Sequence, residues 1–435
     1  MPFRASAAFT VIAALISTLL ALSGCSNESE PVQNKIVVLT FNMPHYKDGF
    51  SRWVAEFHKL HPDIEVEQID RKGSNWGAFY HTQVISGTAP DIIDTQGGAW
   101  LQYASQGGLL DLTPFLEKDA EFTANFYPEL LQSWIYEGQN YGIPLYFTKT
   151  LLFYNKLMFQ EAGITSPPNS FDQLMEYAYK MTKGEKSGFM TLNFDWLYWS
   201  LFAMNGIDLV TPDLRHAAFN TPKAIALIER LAKATKDGAI SNISWTGRWV
   251  EPNSMFAAGQ IGMLQAHSTA LLWMLSNTSW INENTIGFAQ MPGNWSTPNA
   301  HALHISADSK YPQAAWDFIK IATSGEGAYS LGISLNNLTG DRFVNEKILD
   351  YFSQTKPIVV PLLRTQQEHL NTLVGNWPLA NDAEIKEALY PELQSALLNH
   401  KSAADALSRA EKKVNHILSR DDRTAQSQSS VSGGQ

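Results

Sequence analysis

Short apolar runs alternate with helix-spaced segments from residue 35 onward, and this alternation restricts the fold more tightly than any other feature of the chain. Residues 35–39 (KIVVL) read as a buried strand, and Phe50, Trp53, Val54, Phe57 and Leu60 then recur at helical spacing until His61-Pro62 stops them. Ile64, Val66 and Ile69 make a second strand, another helical stretch ends at Gly87, and residues 91–95 (DIIDT) give a third strand. A β-α-β-α-β start implies an α/β fold, with mostly parallel sheets flanked by helices. The alternation continues beyond it. Ser170 to Gln173 fits a capping box, and Thr221-Pro222 puts proline at a first helical turn ahead of Ala224, Leu227, Ile228 and Leu231. Leu407, Ala410, Val414 and Ile417 mark one face of a long last helix, after which residues 421–435 turn polar and are expected to be a disordered tail.

Ahead of the first strand, Arg4 and the uncharged apolar run 7–22 have the form of a secretion signal. The run is too short for a membrane span, which takes about 20 apolar residues. It ends in Leu22-Ser23-Gly24-Cys25, which resembles the bacterial lipobox, where a cysteine behind small residues is lipidated and becomes the first mature residue. Cys25 is the only cysteine in the 435 residues, so it has no second thiol for a disulfide or a shared metal. The bland alternative is a buried thiol. Residues 1–24 are accordingly read as a lipoprotein signal peptide, Cys25 as the lipidation site, and residues 25–34 as a polar tether from the membrane. About 410 residues remain, more than the roughly 250–300 at which one core stops growing, so at least two lobes are expected. With 32 basic against 42 acidic side chains, a formal charge of −10, the chain lacks the basic surface that a nucleic-acid partner needs.

Four separated segments, in this order, carry a resemblance. The first is residues 86–93 (SGTAPDII) followed by 103–114 (YASQGGLLDLTP). The second is 141–144 (YGIP) running into 153–156 (FYNK), 161–164 (EAGI) and Pro167-Pro168. The third is 256–263 (FAAGQIGM), and the fourth is Ser309-Lys310 with 314–319 (AAWDFI). Together they resemble the extracellular solute-binding protein family 1, the sugar-capturing subunits of bacterial ABC importers. The resemblance implies a two-lobed fold of the periplasmic-binding-protein-like II type with a hinged cleft, each lobe discontinuous because the chain crosses between them. Crossings are expected near Phe147, near Trp295 to Pro298 and near Asn336 to Leu338. The N-terminal lobe is then 35–147 plus 298–336, and the C-terminal lobe 148–297 plus 337–420. It further implies a monomer that takes a carbohydrate, hands it to permease subunits, and sits lipid-anchored on a membrane facing the periplasm or the exterior.

A sugar offers apolar C–H faces and a rim of hydroxyls, so its site calls for flat aromatic rings and planar polar groups. The chain has 13 tryptophans, and the densest supply is residues 193–199 (NFDWLYW). Asn193, Asp195, Trp196, Tyr198 and Trp199 are candidates there. Asn193 and Tyr198 fit the pattern of the maltodextrin-binding members, and Trp196 departs from it by standing where those members carry a carboxylate. Trp196 and Trp199, three apart, equally fit a helix face turned to the core. Open α/β sheets bind ligands beyond the carboxyl ends of strands, which adds Asn42 and His45 after the first strand and Thr95, Gln96 and Gly98 after the third. The family often places a ligand-contacting aspartate in that last stretch, and this chain has none. Trp245, Arg248, Trp249 and Glu251 form another cluster, either bracketing a sugar or lying at a surface corner. His267 and Ser268 follow the Gly-x-x-x-Met segment where the family has ligand-facing residues. Trp377 stands where the family brings an aromatic ring to the cleft, and Tyr146, beside the expected crossing, completes the set.

Other classes leave no mark on the sequence. Gly-x-Ser-x-Gly, His-Glu-x-x-His, the P-loop and the dinucleotide fingerprint are all absent. His58 with His61 and His301 with His304 are three apart, yet read as ordinary polar positions, so no metal and no cofactor is assigned. A secreted glycan-active enzyme, or the same fold binding a polyamine or an oxoanion, are the alternatives.

Overall fold

The computed structural model describes residues 34–432 except 44–45, 193–194, 249, 374–378 and 380. The side chains of Ser74, Asp195, Trp196, Leu197 and residues 421–432 fall outside that description.

The chain opens with β1 (Asn34–Phe41), α1 (Lys47–Leu60), β2 (Ile64–Arg71), α2 (Gly73–Ile85), β3 (Ile92–Gln96) and α3 (Ala99–Ser105). β1 runs between β2 and β3, parallel to both, as the opening alternation requires. α1 turns Phe50, Trp53 and Phe57 inward against Ile36, Val38 and Ile92 of the sheet. It ends at His61, whose ring stacks on Phe57 with centroids 4.8 Å apart and meets Asp317 at 3.0 Å.

A short hairpin, β4 (Ile135–Tyr136) and β5 (Gln139–Asn140), leads into β6 (Ile143–Asn155). Then follow α4 (Phe171–Met181), β7 (Ser187–Met190), α5 (Asp195–Met204), α6 (Pro222–Lys236), β8 (Ile261–His267), α7 (Ala270–Asn277), β9 (Ile286–Ala289) and β10 (Pro298–Ile305). The caps read from sequence form. Ser170 Oγ accepts from the Gln173 N–H at 3.2 Å and Thr221 Oγ1 from the Ala224 N–H at 3.2 Å. The Gln173 side chain reaches back one residue further than a capping box does, to the Asn169 N–H at 2.8 Å.

β6 joins the two lobes. Residues 143–149 pair with β10, and residues 150–155 pair with β8 and β9, so the strand changes partners between Lys149 and Thr150. The return crossing runs beside it, where Thr150 N–H donates to Thr297 O at 3.1 Å and Ser296 Oγ donates to Thr150 O at 2.6 Å. The sheet order is β2-β1-β3-β10-β6-β8-β7. It is parallel at β2-β1-β3 and β8-β7 and antiparallel at β3-β10-β6-β8, so the sheet is mixed rather than mostly parallel. The cause is connectivity. A strand that leaves one lobe and another that returns to it lie side by side in opposite directions, with no crossover helix to reverse them.

The remaining elements are α8 (Pro312–Thr323), α9 (Gly325–Leu335), β11 (Leu338–Thr339), α10 (Arg342–Thr355), α11 (Val359–Gln367), α12 (Asp382–Leu397) and α13 (Ala403–Ser432). β11 pairs with Tyr146 and Phe147, on the N-terminal half of β6, and α10 packs against α9 and β11. The third crossing therefore comes after the 336–338 stretch expected to hold it, through α11, which contacts both β6 and β9. α12 and α13 pack on each other and on α6 in the C-terminal lobe. α13 carries helical backbone to Ser432, across the polar stretch expected to be disordered. Lengthening an existing helix fixes one residue per hydrogen bond without a new nucleus, which composition alone does not register. Among the described residues no helix is long and apolar enough to cross a membrane.

One core fills each lobe. Ile36, Val38, Trp53, Phe57 and Phe318 belong to the first, and Leu174, Trp199, Ile228, Leu231, Leu407 and Val414 to the second. A third cluster runs from Leu39 and Trp100 through Phe147, Leu151 and Phe153 to Phe256 and Leu271, packing the crossing strand from both sides.

Candidate ligand cleft

A cavity of about 390 Å³ lies between the lobes, lined by Gln96, Gly97, Gly98, Gln102, Asn299 and Asp382 together with Ala99, Pro298, Ala383 and Lys386. Its size falls within the roughly 300–1,000 Å³ of small-molecule sites. One wall is the carboxyl end of β3 with the turn into α3, and beside it the first residues of β10. The other wall is the first turn of α12, from the C-terminal lobe. The β3 wall bends sharply because Gly97 has φ 59°, and Gln96 Nε2 donates to Asn299 Oδ1 at 2.7 Å, bracing the two amides edge to edge. Across the cavity, Asp382 and Lys386 form an i,i+4 ion pair at 2.5 Å. The lining offers amide donors and acceptors, one carboxylate and one ammonium, and among the described residues no aromatic ring.

The crossing strands hold buried polar groups. Thr148 Oγ1 meets His267 Nδ1 at 2.9 Å and donates to Asn299 O at 3.2 Å. Burial pushes His267 down to about 3, so its ring is neutral at neutral pH. Lys149 is fully buried at the point where β6 changes lobes. Its Nζ donates to Glu368 O, and burial lowers its pKa to about 8. Gln366 Nε2 donates to Phe147 O at 2.8 Å, and Thr372 Oγ1 to Asn294 O at 2.6 Å. The end of α11 is thus tied to both crossings.

On the N-terminal side, Asp94 ties two strands, accepting from the Phe41 N–H at 3.1 Å and meeting His301 Nδ1 at 2.9 Å. Tyr146 stacks on His301 with centroids 4.3 Å apart, and burial raises its hydroxyl well above the usual tyrosine range.

The structure sorts the residues singled out from sequence. Gln96 and Gly98 line the cavity. His267, Ser268 and Tyr146 lie on or next to the crossing strands, outside the cavity lining, and Ser268 Oγ is buried without a partner among the described residues. Asn42 is exposed at the end of β1 with φ 53°. Thr95 is buried, its Oγ1 2.7 Å from His304 Nε2, because alternate residues of β3 face opposite sides of the sheet.

Four residues expected at the ligand lie elsewhere. Tyr198 and Trp199, 0% and 1% exposed, pack with Phe202 and Tyr390 in the C-terminal core, so this turn of α5 is a packing face. Trp245 is buried with its Nε1 donating to Thr235 Oγ1 at 2.8 Å, and Arg248 is exposed and paired with Glu251 at 2.9 Å. His45, Asn193, Trp249 and Trp377, the side chains of Asp195 and Trp196, Cys25, the signal segment 1–24 and the tether up to residue 33 lie outside the described residues.

Gln102, Asn299, Asp382 and Lys386 were not singled out from sequence. The only signal for the last two was their i,i+4 spacing after Asn381, which reads as an ordinary helix start.

A crossing strand shared by two lobes, a return strand beside it and a polar cavity between the lobe walls define a hinged, two-lobed binding protein. The chain belongs to the bacterial extracellular solute-binding protein family, whose pattern residues 44–329 match. It is similar to a binding protein of Brucella abortus, 25% identical over 189 residues, 42% of this chain and 45% of that protein, so the chain spans under half of that relative's length. It is also similar to the multiple sugar-binding protein of Streptococcus mutans, 22% identical over 72% of this chain and 77% of that one. Its fold resembles that of an ABC substrate-binding protein from Listeria monocytogenes in complex with cycloalternan. There the TM-score is 0.74 at 24% identity, covering 89% of this chain and 99% of that one.

Proposed function

We propose that the protein captures a mono- or oligosaccharide between its lobes and delivers it to the permease of an ABC importer. The observation that carries the reading is the interlobe cavity, walled by Gln96, Gln102 and Asn299 on one lobe and by Asp382 and Lys386 on the other. Amides and a carboxylate offer the directional donors and acceptors that a rim of hydroxyls needs. The sugars named for the Streptococcus relative and the Listeria neighbour support the same class. A polyamine would want several carboxylates, whereas the described lining holds one, already paired with a lysine. Ligand touching both walls favours the closed state by the contacts that the open state lacks, and closure is what a permease reads.

Cys25 holds the protein by a lipid anchor on a membrane, facing the periplasm or the exterior, and the protein works as a monomer without catalysis. Replacement of Cys25 by Ser then releases it to the soluble fraction.

The functional test is intrinsic tryptophan fluorescence titrated with maltotetraose, cellotetraose, raffinose and galactose, with spermidine and sulfate as the rival ligands. A saturable change with at least one sugar is expected. Response to spermidine or sulfate alone refutes the carbohydrate reading, and release of shorter sugars during the titration refutes the absence of catalysis.

A further inference from the structure

The cavity wall facing α12 has a narrow gap at Gly98. Gly98 adopts φ −82° and ψ 0°, a backbone that any residue takes, so nothing in its conformation calls for glycine. What distinguishes the position is the atom that it faces across the cavity. A Cβ built on Gly98 meets one atom within 4 Å, Asp382 Oδ2 at 3.7 Å. The N-terminal lobe therefore presents bare backbone where the C-terminal lobe presents a carboxylate. Asp382 is the only carboxylate in the described lining and Lys386 the only cation.

Resting on the carbohydrate reading, we propose that Asp382 is the specificity-determining acceptor of the site. Delivered across the cleft by α12, it takes hydroxyls of a sugar held in the cavity beside Gly98. Three features fit that role. Its carboxylate pairs with Lys386 at 2.5 Å and lies in the first turn of α12, where helix N–H groups favour negative charge. An ionised carboxylate accepts from two neighbouring hydroxyls at once, and such charge-assisted bonds are the stronger kind. Finally, its lobe differs from that of Gln96 and Asn299, so a sugar bonded to all three spans the cleft and ties ligand recognition to closure.

A purely structural Asp382, present only to start a helix and pair with Lys386, would affect stability and leave affinity alone. The test uses the mature chain, titrated calorimetrically with maltotetraose, cellotetraose, raffinose and galactose, with the melting temperature of the free protein measured alongside. Asp382→Asn is expected to weaken the tightest sugar by roughly 10- to 100-fold, the range for loss of a hydrogen bond to a charged group. The melting temperature should hardly move. Gly98→Asp is expected to weaken it as well, by filling the gap and setting a second carboxylate against Asp382.

Wild-type protein that binds one of the sugars while Asp382→Asn binds it equally well overturns the assignment alone. Gly98→Asp that leaves the affinity unchanged overturns it too. Wild-type protein that binds none of the sugars overturns the carbohydrate reading, and the assignment with it.

Discussion

Lys149 lies in the crossing strand at 0% exposure, and its replacement by methionine has a calculable effect. Burial lowers its pKa from 10.5 to about 8, although Glu368 nearby pulls the other way. At 1.36 kcal/mol per pH unit, folding disfavours the ammonium by roughly 3 kcal/mol. The sign follows from proton counting. Between pH 8 and 10.5 the unfolded chain holds a proton that the folded chain has released, so stability rises with pH across that window. The gain is complete above 10.5 and absent below 8. From pH 7 to pH 9.5 the linkage relation gives about 2 kcal/mol of it. Methionine fills a similar volume without a charge and loses only the bond to Glu368 O, so Lys149→Met is expected to be neutral or more stable at pH 7. Urea unfolding of wild type and variant, followed by tryptophan fluorescence at pH 7 and pH 9.5, gives the difference directly. The wild type should gain about 2 kcal/mol relative to the variant between the two pH values. A difference that stays constant with pH, together with a variant markedly less stable at pH 7, would refute the reasoning.

Trp199→Ala should destabilise the protein by about 3–5 kcal/mol, the cost of an aromatic cavity in a packed core, and lower the thermal midpoint whether or not sugar is present. A variant that keeps its midpoint and loses sugar affinity would return Trp199 to the binding site. Burial holds His304 down at about 4, and the unfolded chain takes up a proton below about 6.5. Stability from this group is therefore full above pH 6.5 and lost as pH falls towards 4, amounting to roughly 3 kcal/mol. His304→Gln should flatten that part of the loss, read as the change in urea midpoint between pH 7 and pH 4.5, and a parallel loss in variant and wild type would contradict it.

The layout of the fold was more legible in the sequence than the wall of the site. Alternating runs from KIVVL to DIIDT specify β1, β2 and β3 because each run is bounded by its own turn signal, and Ser170 and Thr221 cap helices by local chemistry. Strand direction in the middle of the sheet was not legible, since it depends on the return of residues 296–305 alongside β6, a contact between positions about 150 apart. The same limit applies to the site. Gln96 and Gly98, which line the cavity, stand out in the sequence because they follow a strand end, a rule of position. Asp382 and Lys386 do not stand out in the sequence because their place in the cavity wall comes from which lobe α12 packs on. Trp199, Tyr198 and Trp245 misled because an aromatic ring suits a sugar face and a lobe core equally well, and only burial separates the two uses.

Capture between lobes is tested most directly by the distance across the cleft. In a Cys25→Ser background, which has no other thiol, one nitroxide is placed at Lys72 beyond the end of β2 and one at Glu387 on α12, both exposed. Their separation is then followed by pulsed electron resonance during titration with the best-binding sugar. A shift of the distribution to shorter distances, saturating at the sugar concentration that saturates tryptophan fluorescence, is the predicted result. Saturated fluorescence with an unchanged interlobe distance would contradict capture by closure.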